Sequence, residues 1–391
     1  MNRKTARENA FILLFELSSK DDETADEIFE KATGIKFEWV QVPQSTYVSK
    51  ITSSVAAGVN IGDVILENND SFAQLLSVSQ PLNKIKSIDM NDPIWDKGFF
   101  NYSTFNGNVY HCNAINSPWQ NGNMLYYNEK ALKDNGITTP GEYLEVGKWS
   151  WDNAIKIMRE FKALNSSYTG ANLQSVRIML LANGTEFMYM KNGKMVSGVN
   201  ESAFKSTVEA FYDLQDAGLL GGSSTTLIKG TTAMLLSDTN GLKKSGTFKG
   251  QNASHIKAVP VPAISGSGKI STHYRAYAVC KGAKNPEGAG YFLRYFLDPY
   301  NYNWDDIFLN EDAKKVFVKY CGGADFSTKA VGWSLSGTKG ILGATDWEGI
   351  YAWDNTINRG SSSQVNTTLS TLSSQVDDCV KKTNQILSEL K

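Results

Sequence analysis

With 391 residues, 41% of them hydrophobic and 20% charged, the chain has material for two or three cored domains that need no disulfide or metal to hold them. Its 39 Lys and Arg against 40 Asp and Glu leave a net charge of −1, which excludes a protein that works mainly by coating nucleic acid or an anionic membrane. Cys112, Cys280, Cys321 and Cys379 lie far apart, without C-x-x-C or zinc spacing, and read as thiols rather than disulfides. His111, His255 and His273 form no H-x-x-x-H or H-E-x-x-H pattern, so no metal ligand set is expected. The longest apolar run, 11–15, is far short of the ~20 residues of a membrane span. No small-residue cleavage site and no lipid-attachment cysteine follow it, so the literal reading is a cytoplasmic chain without a signal peptide. The Asn-, Ser- and Tyr-rich composition is nevertheless that of an exported protein.

In chain order, 22–32 reads as a helix with acidic first turns, stopped by Gly34. A strand over 35–42 follows, then a helix over 44–57 and a short buried strand starting at Asp63. The polar loop 67–71 precedes a helix over 72–78. This β/α alternation predicts a parallel sheet flanked by helices, with 67–70 at the strand end where such sheets bind ligands. Residues 99–127 break the rhythm with strand-like runs and Asn, Gly and Pro turns, predicting a crossing between lobes. Helices are predicted over 129–135, from a cap at Ser150 or Asp152 to about 164, over 201–217, 289–297, 311–320 and 365–390. Strands are predicted over 231–236 and twice within 256–281, around a turn at 265–269.

Catalytic motifs fail. The segment ISGSGKIS at 264–271 departs from a Walker A loop at two places. No G-x-S-x-G is present, and Asp305/Asp306 and Asp377/Asp378 are neighbours whose side chains point apart. A carbohydrate-active enzyme with carboxylates from distant segments stays open as an alternative. The stronger signal is aromatic residues among polar ones: SPWQN at 117–121, WSWD at 149–152, VGWS at 331–334 and TDWEGIYAWD at 345–354. An indole stacks on the C–H face of a sugar while neighbouring polar groups take its hydroxyls. Each Trp serves equally well as core packing, and Trp39, Trp95 and Trp304 read as structural.

GIKFEWV at 34–40, the stretch from Tyr47 to Gly58, and DVI at 63–65 resemble the start of the family 1 extracellular solute-binding proteins of ABC sugar importers. MLYYNEKAL at 124–132, WSWD at 149–152, the Gly230 strand and the NPE-containing stretch 274–296 are similar to later parts of that family. The resemblance covers about 23–391. It implies a two-lobed α/β, periplasmic-binding-protein-like fold, each lobe a mainly parallel sheet flanked by helices, with the ligand cleft between them. The implied lobes are 1–115 with 284–328, and 116–283 with 329–391. It implies a non-enzymatic, cell-surface monomer that closes on a carbohydrate and delivers it to the permease subunits in the membrane, with no cofactor, metal or nucleic acid. The ligand contacts it implies are Glu67, Asn68, Asn116, Trp119, Trp151, Ser237, Asp238, Arg275, Trp333, Trp347, Tyr351 and Trp353.

The first 22 residues depart from that pattern. MNRKTARENAFILLFE at 1–16 resembles the first helix of the NusB antitermination factor family, which implies a fused segment and leaves an RNA-associated factor as a further alternative. The other reading makes 10–17 the first strand of the sheet, since without it the lobe's sheet is left gapped.

Overall fold

The computed structural model describes residues 11–15, 29–31, 33–43, 46–59, 61–68, 75–115, 117, 122–173, 176–191, 194–262, 270–272, 275–322, 329–331 and 352–389. A first sheet opens with β1 (Phe11–Phe15), β2 (Phe37–Gln41), helix α1 (Tyr47–Ala56), β3 (Val64–Asn68) and the short β4 (Ser79–Gln80). Helix α2 (Lys97–Tyr102) and the small hairpin of β5 (Thr104–Phe105) and β6 (Asn108–Val109) follow. A second sheet begins at β7 (Asn123–Asn128) and continues through α3 (Glu129–Asp134), α4 (Pro140–Glu145), α5 (Trp151–Leu164), β8 (Thr169–Leu173) and α6 (Val176–Ala182). Next come the hairpin of β9 (Met188–Lys191) and β10 (Lys194–Ser197), then α7 (Ser202–Asp216), α8 (Ser224–Ile228), β11 (Thr232–Asp238) and β12 (Ile256–Pro260). The last part holds β13 (Ile270–Thr272), β14 (Arg275–Cys280), α9 (Pro286–Phe296), α10 (Trp304–Ile307), α11 (Glu311–Phe317), β15 (Lys329–Val331), α12 (Ala352–Asn358) and α13 (Val365–Glu389).

Local chemistry fixes many of these bounds. The Ser150 hydroxyl accepts from the Asn153 N–H and starts α5, as one of the two expected caps. Thr139 and Glu142 form a reciprocal capping box with Pro140 at the first turn of α4. Gly136 and Gly218 end helices at φ 69° and 62°, a region other residues enter at a cost.

The first sheet has the order β2-β1-β3-β14-β4, with β1 parallel to both its neighbours and β14 antiparallel to β3 and β4. The reading of a first strand within 10–17 is therefore met over Phe11–Phe15, where β1 fills the position between β2 and β3. Successive residues point to opposite faces. Val64, Leu66, Tyr277 and Val279 join Phe29, Phe292 and Phe296 on one face, while Ile65, Ala278 and Cys280 join Tyr47 and Ile51 on the other. The second sheet has the order β12-β7-β11-β8 and is buried on both faces: Leu125 and Tyr127 meet one core, Met124 and Tyr126 another. Here only β8 and β11 pair in parallel; β7 is antiparallel to β11 and β12. Both sheets are thus mixed, less parallel than expected, because the strands that bring the chain across from the other sheet run against the rest.

Two elements lie on a different sheet from the one the implied lobes give them. Strand β14, inside 116–283, is the fourth strand of the first sheet. Residues 304–321, inside 284–328, pack on the second: Phe308, Phe317 and Cys321 share a core with Met124 and Tyr126, and Leu309 N–H donates to Leu242 O. Hydrophobic period shows that these segments are buried, not which sheet buries them. The C-terminal α13 lies along the hairpin of β9 and β10. There the Asn384 amide exchanges two hydrogen bonds with the Met195 backbone, at 2.8 and 2.9 Å, and so closes an open sheet edge. All four cysteines are buried thiols.

Candidate functional site at the strand ends

Strand direction places the site. In the first sheet the parallel strands end together at Phe15, Gln41 and Asn68, and β14 enters at that same edge with Arg275 opposite Asn68. Cys112 bridges antiparallel to Tyr277, so the chain leaving it heads for that edge too. In the second sheet β8, β11 and β12 end at one edge, where β7 begins with Asn123 opposite Asp238. The crossing from Cys112 to Asn123 and the crossing from Pro260 to Arg275 therefore both run from one carboxyl edge to the other. A third passage, from Leu297 in the first core to Trp304 against the second, joins them. Loops beyond strand carboxyl ends are where open α/β sheets bind ligands, and here two such edges are tied to one seam.

Five of the expected contacts lie on this seam. Glu67, Asn68 and Arg275 share one backbone register, with Ala276 opposite Glu67. Ser237 and Asp238 close β11, Ser237 being buried. The Asp238 carboxylate accepts from the Asn240 N–H at 3.0 Å and from its side-chain amide at 2.8 Å, which starts the following turn. The Asp238 carbonyl accepts from the Tyr126 hydroxyl at 2.7 Å. Burial, reinforced by the Asp238 charge, pushes the Tyr126 hydroxyl well above its usual pKa, so it stays a neutral donor. Asn116, Trp119, Trp333, Trp347 and Tyr351 lie outside the described residues.

Trp151 and Trp353 do not meet the expectation of stacking faces. They are 4% and 2% exposed and belong to the largest hydrophobic core, Trp353 lying 5.5 Å from the Phe187 ring. Trp151 starts an amphipathic helix whose apolar stripe, Ala154, Ile157, Met158 and Phe161, faces inward, and the indole follows that stripe. Trp149 is half-buried, with its N–H donating to Pro260 O at 2.8 Å. Trp95 and Trp304 are packed with their indole N–H groups donating to Asp89 O and Pro299 O, and Trp39 sits among Phe37, Phe292 and Phe296. These three are structural, as their settings predict.

The sequence reading missed a run of buried polar residues along the first crossing. His111, Asn113, Ser117 and Asn123 are all 5% exposed or less. Backbone hydrogen bonds hold this segment in place, and Asn113 Oδ1 accepts from the Ala114 N–H at 2.9 Å. The Ser103 hydroxyl donates to His111 O at 3.0 Å, and Asn113 O accepts from the Asp96 N–H at 3.0 Å. The available signal was their alternation with Tyr110, Cys112 and Ala114 in a segment already marked as a crossing. Among the described residues no group of three or more His, Cys, Asp and Glu is placed to hold a metal ion, and no helix is long and apolar enough to cross a membrane.

Two mixed sheets with their carboxyl edges joined by repeated crossings define the class of two-lobed solute-binding proteins. The chain belongs to the bacterial extracellular solute-binding protein family, whose model matches residues 24–306. No curated protein is a significant sequence match. Among solved structures, the chain is similar to the GacH receptor of Streptomyces glaucescens GLA.O, solved unliganded and with acarbose (17% identity, 98% of this chain and 99% of that one, TM-score 0.63). It is similar to the galacto-N-biose-/lacto-N-biose I-binding protein of an ABC transporter from Bifidobacterium longum, in complex with lacto-N-biose (15%, 96% and 97%, TM-score 0.66). It is also similar to an extracellular solute-binding protein from Staphylococcus aureus in complex with maltose (13%, 95% and 98%, TM-score 0.66).

Proposed function

We propose that the chain is the carbohydrate-capturing subunit of an ABC importer, binding a mono- or oligosaccharide at the seam between the two sheets. The observation that supports this most is the pair of crossings from carboxyl edge to carboxyl edge, which directs the binding loops of both sheets to one place. Sugar ligands in the similar structures support the ligand class. Closure is a hinge motion about the crossings, and the closed form is what the membrane permease reads. The protein acts as a monomer at the cell surface and carries out no chemistry on its ligand. The proposed contacts are Glu67, Asn68, Asn116, Trp119, Ser237, Asp238, Arg275, Trp333, Trp347 and Tyr351. Trp119, in the first crossing, is the stacking residue to test. Trp119→Ala is expected to weaken sugar binding by ~1–3 kcal/mol, the scale of a truncated aromatic anchor, with the unfolding transition unchanged. Wild-type affinity in the folded variant would remove Trp119 from the site.

A further inference from the structure

The first crossing and the third passage meet at one guanidinium. Arg294, in the last turn of α9, donates from Nε to Asp92 Oδ2 at 2.5 Å and from Nη1 to Asp298 Oδ2 at 2.6 Å. Asp298 opens the third passage. Its Oδ1 accepts from the Tyr300 N–H at 2.9 Å and its carbonyl from the Asn301 N–H at 3.1 Å. Pro299 O, next in the chain, accepts from the Trp304 indole N–H at 2.9 Å, and that ring stacks on Phe308 in a core of the second sheet. Asp92 stands under the first crossing. Its Oδ1 accepts from the Ile94 N–H at 3.0 Å, and the turn it closes is laced to 113–115. Ile94 O accepts from the Ile115 N–H at 2.8 Å, Trp95 bridges antiparallel to Ala114, and the Asp96 N–H donates to Asn113 O at 3.0 Å.

We propose that Arg294 is a positioning residue of the hinge: it holds the roots of the first crossing and the third passage at a fixed angle, so that closure bends the chain only beyond those roots. The inference rests on the hinge closure of the proposed function, and not on which solute is bound. Each carboxylate uses its other oxygen on the backbone of its own turn, so the fork joins two turns and not two loose side chains. A planar guanidinium with two donors engaged also sets direction, which a lysine ammonium does not. Isolated surface ion pairs contribute little. Here two pairs share one cation, and the Asp92 and Asp298 side chains are only 22% and 18% exposed, so solvent and salt screen them less.

The test is the distribution of distances between the lobes in the full chain without sugar, read by pulsed electron spin resonance. Spin labels go on Lys50→Cys in α1 and Lys205→Cys in α7, both exposed, while the four native thiols are buried. Arg294→Gln is expected to spread the distribution, raising the population outside the wild-type range about two- to fivefold, the factor such a pair supplies. Asp298→Asn added to Arg294→Gln is expected to spread it no further, because the two act through one contact. Glu129→Gln, which breaks the ion pair with Lys133 on α3, is the control and is expected to leave the distribution unchanged. A wild-type distribution in folded Arg294→Gln, or equal spreading in Glu129→Gln, would overturn the proposal. If Arg294→Gln does not fold, Asp92→Asn and Asp298→Asn decide, since each keeps its turn-closing oxygen and loses only the charge. Wild-type distributions in both then overturn it. No sugar is present, so this result is read separately from any measurement of sugar binding.

Discussion

A chain lacking residues 1–22 is expected to lose cooperative folding of the first sheet. Strand β1 is central: all five of its residues pair with β2 and two of them with β3. Without it β2 has no neighbour, β3 presents an open ladder, and the backbone groups of the buried β3 lose their partners. The apolar faces on either side then lose the continuous surface they cover. The cost is comparable with the whole stability of a domain, about 5–15 kcal/mol. Urea unfolding followed by circular dichroism reads it, as a shallow or absent transition with a reduced slope. A truncated chain with the midpoint and slope of the full one would show that residues 11–15 contribute nothing to the fold.

The second large effect falls on Trp151. Replacing this buried indole by alanine leaves a cavity beside Ala154 and Met158 and is expected to cost ~3–5 kcal/mol in urea unfolding. Trp151→Phe keeps most of the packing. It also removes an indole N–H that is buried without an acceptor among the described residues, so its cost is expected below about 1.5 kcal/mol. Because the ring belongs to the core, Trp151→Phe is expected to bind sugar like the wild type. A loss of affinity in that stable variant would return Trp151 to the binding site.

These residues also mark where sequence reading stops. Strands such as β3, helices such as α5 and α7, and their caps follow from local pattern and side-chain chemistry, which a single sequence carries. Helix α6 went unread because six of its seven residues are buried, so its apolar run has no period to detect. Sheet membership of β14 and of 304–321 depends on contacts across hundreds of positions, with no local trace. Trp151 and Trp353 sit in motifs rich in polar residues, yet an indole at a helix start serves a core and a sugar face equally well. The seam itself was half legible: the loop at 67–70 and the crossing over 99–127 were marked from composition. Their alignment with β11 required strand direction, which only the register gives.

Titration calorimetry of the full chain with a panel of mono- and oligosaccharides, followed by analysis of the recovered sugar, tests the proposed function most directly. Saturable one-to-one binding of at least one carbohydrate, recovered unchanged after prolonged incubation, is the predicted result. Release of shorter products, or saturable binding of a different class of solute with no response to any sugar, would contradict it.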